Sequence, residues 1–127
     1  MIGIGIGIGI PFGNNDNLKG ELVNYSNLIN NSDINISTGL LTTGDRTVFV
    51  QNLSVKPGTT WVFKRPVGVG SFAVRKYDST GNYIGTDGLV MYVGVLEGNY
   101  KFTSDTHFMN FVDEANTLEP GYSIKEL

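Results

Sequence analysis

At 127 residues the chain is one domain's worth, long enough to bury roughly two-thirds of its unfolded surface. A formal net charge of −3 argues against a nucleic-acid partner, which needs a basic stripe to displace phosphate counterions. The absence of cysteine excludes a disulfide framework, thiolate zinc sites and thiol catalysis, and no run approaches the ~18 apolar residues of a membrane span.

Glycine is in excess, 17 of 127 residues, against about 7% in average proteins. Its most unusual use is Met1-Ile2-Gly3-Ile4-Gly5-Ile6-Gly7-Ile8-Gly9-Ile10. This segment lacks the basic region and small-residue cleavage site of a secretory signal. Its strict period of two places Ile2, Ile4, Ile6, Ile8 and Ile10 on one face of an extended strand, with Gly3, Gly5, Gly7 and Gly9 on the other. β-Branched isoleucine suits the pleat, and alternating glycine would ruin a helix. Alone, such a strand cannot hold itself extended, because ordering the backbone costs roughly 1–2 kcal/mol per residue and most of all at glycine. It needs a sheet to complete its ladder and a groove for the isoleucines. The expectation is a docking arm that adds a strand to a neighbouring subunit, and the competing reading is a strand of the domain's own sheet. Pro11 ends the pairing, having no amide hydrogen to donate.

Phe12 leads into Gly13-Asn14-Asn15-Asp16-Asn17, a linker dense in turn formers. The D-x-[DN]-x-[DN]-G…E spacing of a calcium loop is absent there, so no metal is expected. Residues 1–17 therefore read as arm and linker, and residues 18–127 as one β-domain. Residues 18–31 mix a weak helical spacing (Leu18, Leu22, Tyr25, Leu28, Ile29) with Gly20 and many asparagines, and read as irregular chain or a short strand.

Downstream, strands alternate with turns. Thr47-Val48-Phe49-Val50 runs through Gln51-Asn52-Leu53-Ser54-Val55 into Lys56-Pro57-Gly58-Thr59, where proline then glycine suit a type II turn. Thr60-Trp61-Val62-Phe63-Lys64 and Phe72-Ala73-Val74-Arg75-Lys76-Tyr77 follow as strands. Asp78-Ser79-Thr80-Gly81-Asn82 reads as a hairpin loop, with Tyr83-Ile84-Gly85 returning. The mostly apolar run from Leu89 to Leu96 reads as a central strand and Glu97-Gly98-Asn99 as a turn. Tyr100-Lys101-Phe102-Thr103, the run from His107 to Val112, and Tyr122-Ser123-Ile124-Lys125 complete the series. Seven or eight strands at 8–12-residue spacing, without a convincing long helix, predict an all-β, jelly-roll-type antiparallel sandwich.

The order Val55-Lys56-Pro57-Gly58-Thr59-Thr60-Trp61-Val62-Phe63, then Val74-Arg75-Lys76-Tyr77-Asp78-Ser79-Thr80-Gly81-Asn82-Tyr83-Ile84, then Tyr100-Lys101-Phe102-Thr103 carries a resemblance. It resembles the jelly-roll, carbohydrate-binding-module-like domains of tailed-phage virion structural proteins. Those commonly carry a V-x-P-G-x-T-Y-x-F segment, a V-R-x-Y-D-x-x-G-x-x-I hairpin and a later F-T-x-P-x-x-A segment. The match covers roughly residues 50–115 and is most specific at Tyr77 to Ile84. It departs at Ser104-Asp105-Thr106-His107, where the family usually has proline and alanine, so the register of the last strands does not follow from it. The resemblance implies a component of the virion (head, tail or fibre attachment), homo-oligomeric within the particle and surrounded by other virion proteins. Its other implication is a carbohydrate-binding module that meets a host glycan.

No catalytic set assembles from the residues. His107 is the single histidine, too little for a Ser-His-Asp triad or a His-His metal pair. Asp78, Asp87, Asp105, Asp113, Glu114 and Glu119 sit mostly in turns, and nothing singles out the pair a glycosidase requires. Gly68-Val69-Gly70 lacks the helix and lysine of a phosphate cradle. The chain is thus expected to be non-enzymatic and without a cofactor. Among Trp61, Tyr77, Tyr83, Tyr92 and Tyr100, Trp61 and Tyr83 are the candidates for stacking on a sugar ring. Core packing by Trp61 and hairpin packing by Tyr77 are the competing assignments.

Overall fold

The computed structural model describes residues 23–24, 28–85 and 88–127. The expected arm, residues 2–10, and the linker after it lie outside the described residues.

Ten strands follow one another: β1 (Val23–Asn24), β2 (Ile29–Ile34), β3 (Leu41–Thr43), β4 (Arg46–Ser54), β5 (Thr60–Lys64), β6 (Phe72–Tyr77), β7 (Leu89–Met91), β8 (Glu97–Lys101), β9 (Phe108–Asp113) and β10 (Ser123–Glu126). No helix occurs among the described residues. The strands form two sheets, ordered β1-β10-β5-β8 and β3-β2-β4-β9-β6-β7, and every pairing is antiparallel. From β4 onward the chain crosses repeatedly between the sheets, so neighbours in a sheet are mostly distant in sequence. The protein is an all-β, jelly-roll-type sandwich.

Alternation along the strands explains the layering. Phe49 and Leu53 of β4, Phe72 and Val74 of β6 and Met109 and Phe111 of β9 point inward. They meet Trp61 and Phe63 of β5 and Ile124 of β10 from the facing sheet. Phe49 and Phe111 stack with centroids 5.0 Å apart. The other face of the six-stranded sheet carries a second apolar cluster: Ile34, Val48, Val50, Tyr77 and Val112, with Leu41, Tyr83 and Phe108 against it. That is why β4 is buried along nearly its whole length. Its apolar run Val48-Phe49-Val50 supplies both clusters, Phe49 inward and Val48 and Val50 outward.

Local chemistry accounts for the turns. Thr59 N–H donates to the Lys56 carbonyl at 3.2 Å and Gly58 takes φ +80°, as the Pro57-Gly58 pair predicts. In the loop after β6, one oxygen of Asp78 accepts Thr80 N–H, Thr80 Oγ1–H and Asn82 N–H, each at 2.9 Å. Those donors, the Asn82 amide foremost, hold the Asp78 carboxyl below its ordinary range. The return is shorter than predicted, a single bridge between Tyr77 and Tyr83.

Three expectations are corrected. The run from Leu89 to Leu96 is not a central strand. Only Leu89–Met91 is extended, at the edge of its sheet, because the chain turns at Gly94 (φ +86°) with Val95 N–H on the Tyr92 carbonyl at 3.1 Å. With the turn already made, Glu97-Gly98-Asn99 is not a turn but the start of β8, where Gly98 pairs with Phe63. Finally, residues 29–43, read as irregular or left unassigned, form the β2–β3 pair. Their polar residues line solvent at the sheet's margin, so no strong alternation marks them.

Candidate functional site

The outer face of the six-stranded sheet carries a cavity of about 430 Å³. Its position follows from side-chain size along one row of the sheet. Ala73 of β6 faces Val112 of β9, which faces Val48 of β4. Small side chains at Ala73 and Val112, with Gly88 beside them, leave a hollow between larger polar residues up and down the strands. Asn35 and Ile36 of the β2–β3 loop form one wall and Leu89 of β7 another.

One end of the hollow is a closed ionic network. Arg46 Nη1 donates to Asp33 Oδ2 at 2.7 Å and Arg46 Nη2 to Glu114 Oε2 at 3.1 Å. Asp33 Oδ1 accepts Ile34 N–H at 2.8 Å. Glu114 Oε1 accepts both Ser71 N–H and Ser71 Oγ–H at 2.7 Å. Ser71 and then Arg46 hold the Glu114 carboxyl far below the usual carboxylate range, at about 2. The other end is Arg75, 8% exposed, whose Nε donates to the Ile34 carbonyl at 3.1 Å.

The β2–β3 loop is clamped from outside. Asn35 Oδ1 accepts Ser37 N–H at 2.8 Å and Thr38 N–H at 3.1 Å, shaping the turn. Tyr77 O–H donates to the Gly39 carbonyl at 3.0 Å, and Tyr83 O–H to the Ile36 carbonyl at 2.6 Å. The Tyr83 ring lies so close over Gly39 that a Cβ there would sit 2.5 Å from it. Burial pushes both phenols above their ordinary pKa.

No family model, curated protein or solved structure matches the chain.

The sequence candidates separate in space. Trp61 is 1% exposed inside the sandwich, with Nε1 donating to Thr59 Oγ1 at 3.0 Å. It therefore offers no ring face to a sugar, and the core assignment is the one the structure adopts. Tyr83 is half-buried, its ring against Tyr77 at 5.6 Å and its hydroxyl spent on the loop. It does not line the cavity, but holds the loop that does. Ile2, Gly3, Ile4, Gly5, Ile6, Gly7, Ile8, Gly9 and Ile10 lie outside the described residues. His107 precedes β9, where its backbone joins Tyr77 and Val55 at 2.9 Å each. Asp113 is fully buried on Arg65 and Tyr122. Among the described residues no group of three or more His, Asp or Glu side chains could hold a metal ion, and no helix is long and apolar enough to cross a membrane.

Asp33, Arg46, Ser71, Arg75 and Glu114 were not singled out from the sequence. Arg46 and Glu114 stand 68 positions apart and meet only across the β4–β9 pairing. Arg75 alone of these carried a signal: with Lys76 it puts adjacent cations in a strand whose other residues are apolar or aromatic.

Proposed function

We propose that the protein is a non-enzymatic structural subunit of a phage virion, a head, tail or fibre-attachment component joined to its neighbours through residues 2–10. The observation that carries this reading is the segment from Tyr77 to Ile84, the most specific part of the resemblance. Here it builds a compact hairpin whose two tyrosines clamp a second loop, a rigid element of the kind a load-bearing subunit needs. The alternating Ile-Gly arm supplies the attachment by strand addition, with isoleucines buried in a partner's groove. Occupation of the arm also removes the hazard of a long uncharged edge strand.

The competing reading, a carbohydrate-binding module for host adsorption, draws less support. Of its two aromatic candidates, Trp61 is buried in the core and Tyr83 is committed to the loop.

Location is the test. Antibodies against the sandwich should label purified particles. A chain lacking residues 1–10 should melt at nearly the same temperature as the full chain and fail to join those particles. Unlabelled particles, or an unfolded truncated chain, would overturn the reading.

A further inference from the structure

Arg75 is a buried cation with part of its hydrogen-bonding capacity unspent. Its Nε holds the Ile34 carbonyl, and it has no other hydrogen bond or ion pair with the described residues. Yet it is 8% exposed. A guanidinium taken that far from water is costly unless it is paired. Its Nη atoms are not sealed inside the protein, since the one sealed, unpartnered side-chain atom among the described residues is Glu126 Oε1. The residue lines the cavity on the outer sheet face. Among the described residues, the hollow is the outlet that remains for the two Nη groups.

We infer that this cavity is a binding site for a small monocarboxylate, with the Arg75 guanidinium as its receptor. The planar fork of arginine matches the two oxygens of a carboxylate in a bidentate pair. With Nε already occupied, the end-on pair of Nη groups is the fork that remains. The body of the ligand lies over Ala73 and Val112, between Leu89 and Ile36, which supply an apolar floor and walls. The far end sets the ligand's charge. Asp33 and Glu114 share the single cation Arg46 there, so that end carries one surplus negative charge and repels a second anionic group. Glu114 lies about four residues along the strands from Arg75, roughly 13 Å of backbone, whereas Asp33 is nearer, on the N–H of the same Ile34 whose carbonyl Arg75 holds. With these two carboxylates on a single cation, one carboxylate on the ligand is accommodated and a phosphate dianion meets more repulsion. A free organic acid and the C-terminus of a peptide present the same group, and the site's chemistry is common to both. This inference is independent of the virion reading, because the site lies within one chain and makes no use of the arm.

The test is an amide-resonance titration of the full chain with propionate, acetyl-trialanine, acetyl-trialanine amide and inorganic phosphate. Saturable shifts confined to residues around Ala73, Arg75, Gly88 and Val112 are expected with the two carboxylates. The amide should produce none, and phosphate should bind at least tenfold more weakly than the carboxylates. Whichever carboxylate binds more tightly names the source, and both outcomes support the site. Arg75→Gln should weaken binding at least tenfold. Ala73→Leu keeps the guanidinium, fills the floor and should weaken binding to a similar extent, which preserves the test if Arg75→Gln fails to fold. Equal shifts with the acid and its amide, stronger binding of phosphate, or undiminished binding to folded Ala73→Leu would overturn the assignment.

Discussion

Arg65 donates from Nη1 to Asp113 Oδ1 at 2.8 Å, with both side chains fully buried. The rest of the guanidinium is spent on backbone: Nε on the Val95 carbonyl at 2.8 Å, and Nη2 on Gly70 at 2.9 Å and Tyr92 at 3.0 Å. Asp113 in turn accepts Tyr122 O–H at 2.5 Å and Ala115 N–H at 3.1 Å. One ion pair thus ties β9 to the loops before β6 and before β8, and to the tyrosine that leads into β10. Burial and the Asp113 carboxylate keep the Tyr122 phenol protonated far above its ordinary pKa.

Breaking this pair strands a charge in the interior. Arg65→Met is expected to destabilise the fold by about 3–5 kcal/mol, read from urea melts. The double variant Arg65→Met/Asp113→Leu should recover only part of the loss, since the carbonyls of Gly70, Tyr92 and Val95 still lack their donor. Full recovery would show that the backbone bonds contribute nothing.

Acid should loosen the outer face through Glu114. Its folded pKa of about 2 lies below its ordinary value of 4.5, so the fold favours the ionised form. The resulting stabilisation is complete above about pH 4.5 and is lost as pH falls through 2. The side chain is 39% exposed, so salt should shrink the effect. Thermal melts from pH 7 to pH 2 should show Glu114→Gln less sensitive to acid than the parent over that window.

At Gly39 two constraints coincide. The residue takes φ +70°, and an added Cβ would meet the Tyr83 ring at 2.5 Å. Gly39→Ala should cost about 1–3 kcal/mol. Displacing the ring also breaks the Tyr83–Ile36 bond, so adding Tyr83→Phe to Gly39→Ala should cost less than Tyr83→Phe alone. Additive losses would mean that the ring does not move.

The bulge in β4 rests on a buried amide pair. Asn52, at φ +55°, donates its backbone N–H to Asn110 Oδ1 at 2.7 Å, and Asn110 Nδ2 donates to Asn52 Oδ1 at 3.0 Å. Asn110→Ala removes the acceptor from a buried N–H and should destabilise by about 2 kcal/mol. Asn110→Asp keeps the acceptor but buries a charge, and should be the worse of the two in denaturant melts.

By itself the sequence determined the class of fold and its strongest turns. Apolar runs with β-branched and aromatic residues, cut by Pro57-Gly58 and by Asp78 to Asn82, allow little besides an antiparallel sandwich. Trp61 carried two readings in the sequence, sugar stacking and core packing, and the structure buries it. These signals are local, carried by neighbours in the chain. The sequence put a strand through Gly94 and a turn at Gly98, and tertiary structure reversed the two. The carbonyls of Tyr92 and Val95 found the buried Arg65, and Gly98 fell where β8 needs a small residue against Val90, whose carbonyl would lie 2.6 Å from a Cβ. The cavity was decided entirely at that level. Asp33, Arg46, Arg75 and Glu114 come from four separate stretches of chain. Only the pairing of β2, β4, β9 and β6 into one sheet brings them to a common face. Register across distant strands sets those distances, and no periodicity within a single strand encodes it.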